Sequence, residues 1–184
     1  MPSTSARGRL LLATPELSDP NFFRSVVFVL EHTDDGALGL VLNRPTDVRV
    51  DAVLPEWSDP CSAPACLFVG GPVQPEAAIA LARGTGEAED GLASLFDDLV
   101  TVDLERDAVL LAPRIDEMRV FLGYSGWGAG QLDAELRAGG WVVVDAEPDD
   151  AFSSDPAGLW RAALRRQDGR VAILALAPED PSLN

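Results

Sequence analysis

The chain has 184 residues, 47% of them apolar, and its 14 basic side chains (all arginine) face 30 acidic ones for a formal net charge of −16. That length and apolar share suffice for one domain with a real core, residues 1–184, with no need of disulfide or metal staples. The negative field repels phosphate backbones, which argues against direct nucleic-acid binding, and every apolar run falls far short of the ~20 residues that span a bilayer.

Arg9–Ala13 reads as a first strand. Behind Arg7 and Arg9, the apolar stretch Leu10–Ala13 is too short for the roughly 7–15-residue apolar region of a secretory signal, so a cytosolic chain is expected. Ser25–Thr33 and Ala37–Asn43 form a hairpin through Asp34-Asp35-Gly36. Asn43-Arg44-Pro45 ends it, because proline cannot donate to a ladder. Asp51–Leu54 is a short helical turn. Cys61 and Cys66 lie in a Pro-rich loop with the spacing of neither a redox pair nor a zinc site, and read as two free thiols. Cys66–Val69 is a strand broken by Gly70-Gly71-Pro72, and Ala77–Leu81 reads as another. The acidic stretch from Gly84 to Asp98 reads as a flexible loop. Thr101–Leu104 is a strand, and periodicity leaves Asp107–Ala112 open between helix and strand.

An apolar strand, Val120–Leu122, then runs into a glycine-dense turn at 123–130, followed by a helix over Gly130–Ala138 with Leu132 and Leu136 inward. Gly139-Gly140 stops it and Trp141–Asp145 is a strand. Asp155-Pro156 starts a helix whose stripe is Leu159, Trp160, Ala163 and Leu164, with Arg161, Arg165 and Arg166 outward and Gly169 at its end. Val171–Ala177 is continuously apolar and suits a buried strand. Strands and helices intermix, which makes the fold class α+β around a mixed sheet.

Few residues offer chemistry. Gly123-Tyr124-Ser125-Gly126-Trp127 is close to a nucleophile elbow, but the second glycine comes one residue early and the sole histidine, His32, lies on the first hairpin. The turn's helix N-terminus suits an anion, yet Asp133 and Glu135 already supply negative charge there. The alternative is structural: the glycines let Trp127 and Trp141 pack around the Leu132/Leu136 helix, and Gly126→Val would then cost a few kcal/mol through a demand for unusual φ. Arg44 is either an exposed anion fork or a salt-bridge partner. Asp34, Asp35 and the run Asp145 to Asp150 lack calcium-loop spacing and read as solvated turns.

Several blocks carry a resemblance. Leu12 to Leu17 with Asp19-Pro20-Asn21-Phe22, His32 to Pro45, Val69-Gly70-Gly71-Pro72-Val73, Phe121 to Trp141 and the ending Pro178 to Asn184 stand in an order that resembles the AlgH/YqgE family of small bacterial proteins of unsettled function. The resemblance implies a single compact α+β domain with a mixed, branched or barrel-like sheet flanked by helices. It also implies a non-enzymatic protein that binds a ligand or a protein partner, with an indirect regulatory role. The competing reading is a small hydrolase using Ser125 or a metal held by acidic turns. No catalytic residue, resident metal or cofactor is assigned, and neither nucleic acid nor membrane is expected as a partner. A ligand site, if the turns converge, comprises Asn43, Arg44, Gly70, Gly71, Tyr124, Ser125, Trp127 and Gln131: Tyr124 and Gln131 for hydrogen bonds, Arg44 for charge, Trp127 as an apolar wall.

Overall fold

The computed structural model describes residues 5–17, 19–85 and 90–179. Ten strands form one branched sheet: β1 (Arg9–Ala13), β2 (Val26–Thr33), β3 (Gly36–Val41), β4 (Pro45–Arg49), β5 (Cys66–Val69), β6 (Val73–Gly84), β7 (Leu92–Phe96), β8 (Leu99–Val102), β9 (Ile115–Gly128) and β10 (Trp141–Asp145). The order is β10-β1-β2-β3-β9-β6-β8-β7, with β4–β5 branching off and β5 parallel to β9. The sheet curls into a half-barrel with short helices around it: α1 (Val50–Val53), α2 (Ala108–Leu111), α3 (Gln131–Arg137), α4 (Leu159–Arg165) and α5 (Gly169–Ile173). This is the α+β fold with a mixed, branched sheet that the sequence implies.

Strand alternation explains the layers. Leu10 and Leu12 of β1 join Val26, Phe28 and Leu30 of β2 and the α4 stripe in one cluster. Leu11, Val27 and Val29 face the other way, onto Trp127, Leu132 and Trp141. A third cluster around Trp57, Met118 and Val120 fills the β6–β8–β9 end.

Five expectations are corrected. The glycine-dense turn at 123–130 is, through Gly128, the continuation of β9. Within the acidic stretch from Gly84 to Asp98, Leu92–Phe96 is strand β7, because Leu95 and Phe96 pack on the core and β8 pairs with it; residues 86–89 lie outside the described ones. Val171–Ala177 is helical: α5 continues into a 3-10 turn over Leu174–Leu176. Val171, Leu174 and Ala175 face the core while Ile173 and Leu176 are exposed, a helical period that an all-apolar run conceals. Gly169 therefore opens a helix and does not close the previous one, which ends at Arg165. Finally, Asp150 is no solvated turn residue: it is 4% exposed and grips Arg166 with both oxygens at 2.7 and 2.8 Å. The open case of Asp107–Ala112 resolves as α2, with the Asp107 carboxylate accepting from the Val109 amide. Residues 180–184 of the family-like ending lie outside the described residues.

Candidate functional site

The residues singled out in the sequence fall into two groups. The first is the junction of β3, β5 and β9. Val41 N–H and Ser125 Oγ–H both donate to the Gly70 carbonyl, at 2.8 and 3.1 Å, and Val69 N–H donates to the Arg44 carbonyl. Gly70 and Gly71 lie against the Gly123–Ser125 backbone so closely that a Cβ on either would overlap a carbonyl of β9. Close approach is thus what these glycines provide, and Gly123, at φ +67°, supplies the backbone conformation that L side chains avoid. Gly126 is different: its φ is not positive, it is exposed, and an added Cβ makes only ordinary contacts, with the Tyr124 ring at 3.4 Å and the Val73 side chain at 3.7 Å, so the expectation of a demanding Gly126 is corrected.

The polar groups of this junction serve the fold. Asn43 is buried, its Oδ1 accepting from Val26 N–H at 3.0 Å and its Nδ2 donating to the Arg24 carbonyl at 2.9 Å. Arg44 makes no ion pair among the described residues: its guanidinium donates to the Phe23 and Asn43 carbonyls, and burial lowers its pKa. Ser125 is fully buried in the β9 ladder opposite Gly39, and Tyr124 is half-buried against the core.

The second group surrounds α3. One carboxylate oxygen of Glu135 accepts from Trp127 Nε1 at 2.9 Å and from Trp141 Nε1 at 2.8 Å, while the other accepts from Gln131 Nε2 at 3.0 Å. Gln131 Oε1 in turn accepts from Gly128 N–H. Phe22 stacks on Trp127 and meets Trp141 edge-on, at ring-centroid distances of 6.1 and 5.3 Å. This is the packing alternative made concrete. Glu135, read in the sequence only as repelling an anion, is its hub. His32 accepts from Ala6 N–H through Nδ1, and its Nε2 lies 3.8 Å from Asp133.

Two features escaped the sequence reading. Arg119, on β9, is 2% exposed. Its guanidinium lies 4.3 Å from the Phe68 ring and donates to the carbonyls of Ala63, Ala151 and Ser153. Burial lowers it to about 10 and likewise pushes the nearby Cys61 thiol up to about 11, which keeps that thiol protonated and poorly nucleophilic at neutral pH. The signal was a lone arginine inside the apolar run from Met118 to Leu122.

The other is a groove of ≈ 330 Å³ at the seam of the half-barrel, where the β7–β8 hairpin approaches the start of β1 and the end of β10. Its apolar lining is Phe28, Phe96, Leu99, Ala146 and Ala151. Phe96 meets Phe28 edge-on and carries the Arg7 guanidinium 4.6 Å from its centroid. Arg83, on the opposite wall, reaches Asp149 at 3.1 Å, Glu117 at 3.4 Å and Asp98 at 3.6 Å. Among the described residues, no group of three or more His, Cys, Asp or Glu side chains is arranged to hold a metal ion, and no helix is long and apolar enough to cross a membrane.

Comparison with known proteins places this architecture. A family model described as AlgH-like matches residues 10–172. The chain belongs to the AlgH-like family. Among AlgH-like relatives, a UPF0301 protein of Streptomyces coelicolor is 48% identical, covering 98% of this chain and 96% of its own; one of Thermobifida fusca is also 48% identical, over 100% and 98%. A crystal structure from Corynebacterium diphtheriae superposes with a TM-score of 0.85 at 30% identity, covering 94% and 93% of the two chains. The solution structure of the AlgH protein of Pseudomonas aeruginosa gives 0.69 at 28% identity, over 98% of this chain and 100% of that one. The AlgH-like family is one of uncharacterised function.

Proposed function

We propose that this AlgH-like protein is a cytosolic binding protein, not an enzyme, and that it takes a small ligand in the seam groove with the ligand's apolar body on Phe96 and an anionic end at Arg7. The observation that carries this reading is the groove itself. It has the size of small-molecule sites and an apolar floor; its lining carboxylates Asp98, Glu147 and Asp150 are already paired with Arg83 and Arg166, Asp97 stands at its rim, and one guanidinium, Arg7, makes no ion pair among the described residues. A hydrolase reading finds less support, since the Ser125 hydroxyl is buried and donated to Gly70 while His32 is held by Ala6 and Asp133. The eight residues chosen from the sequence serve binding indirectly in this proposal, by holding the frame on which the groove is built. Any regulatory role then runs through the ligand or a protein partner and not through direct contact with DNA, given the net charge of −16.

The dye 1-anilinonaphthalene-8-sulfonate, an aromatic body with one anionic group, serves as the probe. Its fluorescence is expected to rise on binding to the native protein. The rise should weaken in Arg7→Gln and disappear in Ala146→Trp, which fills the groove from a half-buried wall position. Enhancement that survives Ala146→Trp refutes the site.

A further inference from the structure

A second surface, which meets the seam groove only at Glu147 and Asp150, has a different chemistry. α2 turns Ala108 and Leu111 inward and leaves Val109 79% and Leu110 70% exposed. Beside Val109 runs a groove of ≈ 510 Å³ whose apolar wall is formed by Ala108, Ala112, Pro113 and Ile115, with Glu56, Asp59 and Asp116 along it and no basic side chain. Over the shared residues Asp59, Pro60 and Asp116 it continues into a wider cleft of ≈ 660 Å³. That cleft is lined by Asp59, Asp116, Glu117, Glu147, Asp149 and Asp150, with Arg166 as its one basic side chain.

The internal cations are already engaged. Arg166 holds Glu147 and Asp150, and Arg83 reaches Glu117 and Asp149. Asp59 and Asp116, on the ridge between the two clefts, make no hydrogen bond or ion pair among the described residues. An apolar shelf therefore abuts a run of carboxylates whose outermost members lack partners. Exposed neighbouring apolar side chains with a charged rim mark interaction surfaces, and complementary charge selects the occupant. A second copy of this chain is disfavoured, because it would bring the same carboxylates and another −16 charges to the contact. Nucleic acid is disfavoured for the same reason.

We infer that the α2 shelf and the acidic cleft together dock a basic amphipathic segment of a partner protein, with apolar side chains on Val109, Leu110 and Ile115 and arginine or lysine side chains reaching Asp59 and Asp116. Helix-in-groove recognition of this kind needs both an apolar stripe and a charged one. None of these five contact residues lines the seam groove, so either site can fail alone.

The test titrates the full-length protein with two synthetic peptides of identical composition. One segregates leucines and arginines to opposite helix faces; the other scrambles them. Binding is followed by NMR shifts. The segregated peptide is expected to perturb residues 56–60 and 108–116 and to bind at least about tenfold more tightly than the scrambled one, the equivalent of one apolar side chain buried. The double variant Val109→Asp/Leu110→Asp should lose about tenfold although it adds negative charge; both positions are exposed, so the fold is retained. Asp59→Asn/Asp116→Asn should weaken binding and flatten its salt dependence. Ala146→Trp should leave it unchanged. Equal binding of the two peptides, or undiminished binding by Val109→Asp/Leu110→Asp, reduces the effect to diffuse charge attraction and overturns the inference. Self-association in sedimentation that the same double variant abolishes assigns the surface to a second copy and overturns it equally.

Discussion

Glu135 offers the sharpest test of the packing account. Its carboxylate receives two indole N–H groups, from Trp127 at 6% exposure and Trp141 at 3%. Glu135→Ala leaves both donors without an acceptor in an aromatic cluster closed by Phe22. Each buried unsatisfied donor costs about 1–3 kcal/mol, so a loss of about 3 kcal/mol is expected for the pair. In a domain of this length that lowers Tm by about 6–12 °C. Glu135→Gln keeps an oxygen that can accept from both indoles and should lose only about 1 kcal/mol. Chemical denaturation followed by near-ultraviolet circular dichroism reads both variants. A double-mutant cycle isolates the cause: in a Trp141→Phe background, which removes one donor, Glu135→Ala should cost about 1–2 kcal/mol less. Glu135→Ala within about 0.5 kcal/mol of native, or an equal penalty in both backgrounds, would refute the hub.

Arg119→Met should destabilise by about 2–4 kcal/mol, because three carbonyls lose their donor; amide exchange should quicken in both 61–66 and 150–154, and quickening in only one segment would contradict the bridge. Gly71→Ala should cost more than about 2 kcal/mol, since its Cβ meets the Tyr124 backbone, while Gly126→Ala stays within about 1 kcal/mol; equal thermal melts would show the strand approach to be looser than described. Ser125→Ala should lose about 1 kcal/mol, one buried hydrogen bond, because the Gly70 carbonyl keeps its bond from Val41. The Cys61 thiol, raised from 9.0 to about 11, holds its proton in the folded state where the unfolded chain releases it, so stability should fall as pH rises from 9 towards 11; a Cys61→Ala variant should show a shallower fall in urea titrations across that window.

What was legible in the sequence is what local chemistry decides. Asp34-Asp35-Gly36 specifies a hairpin through its turn, and Cys66–Val69 and Trp141–Asp145 are strands bounded by glycine or proline on at least one side. Residues 123–130 were harder, because glycine permits a turn and a close strand crossing alike. Only Gly70 and Gly71, brought from more than 50 residues away, decide between them. Val171–Ala177 failed for a related reason: with apolar side chains on every face no period is visible, and it is α4 that selects the helical one.

Function follows the same division. The residues that looked most chemical (Asn43, Arg44, Ser125, Trp127) form the frame, because polar groups inside a strand junction must find partners and here they find backbone carbonyls and Glu135. The seam groove draws on Arg7, Arg83, Phe96 and Ala146, four unremarkable residues on four separate segments. No spacing relates them until the sheet curls far enough to bring the β7–β8 hairpin to β1 and β10. The α2 shelf was not legible, since periodicity left Asp107–Ala112 open between helix and strand, and the exposure of Val109 and Leu110 depends on Ala108 and Leu111 taking the inward face. In the proposed reading both recognition surfaces lie at the rims of the sheet, away from the glycine-packed junction of β3, β5 and β9.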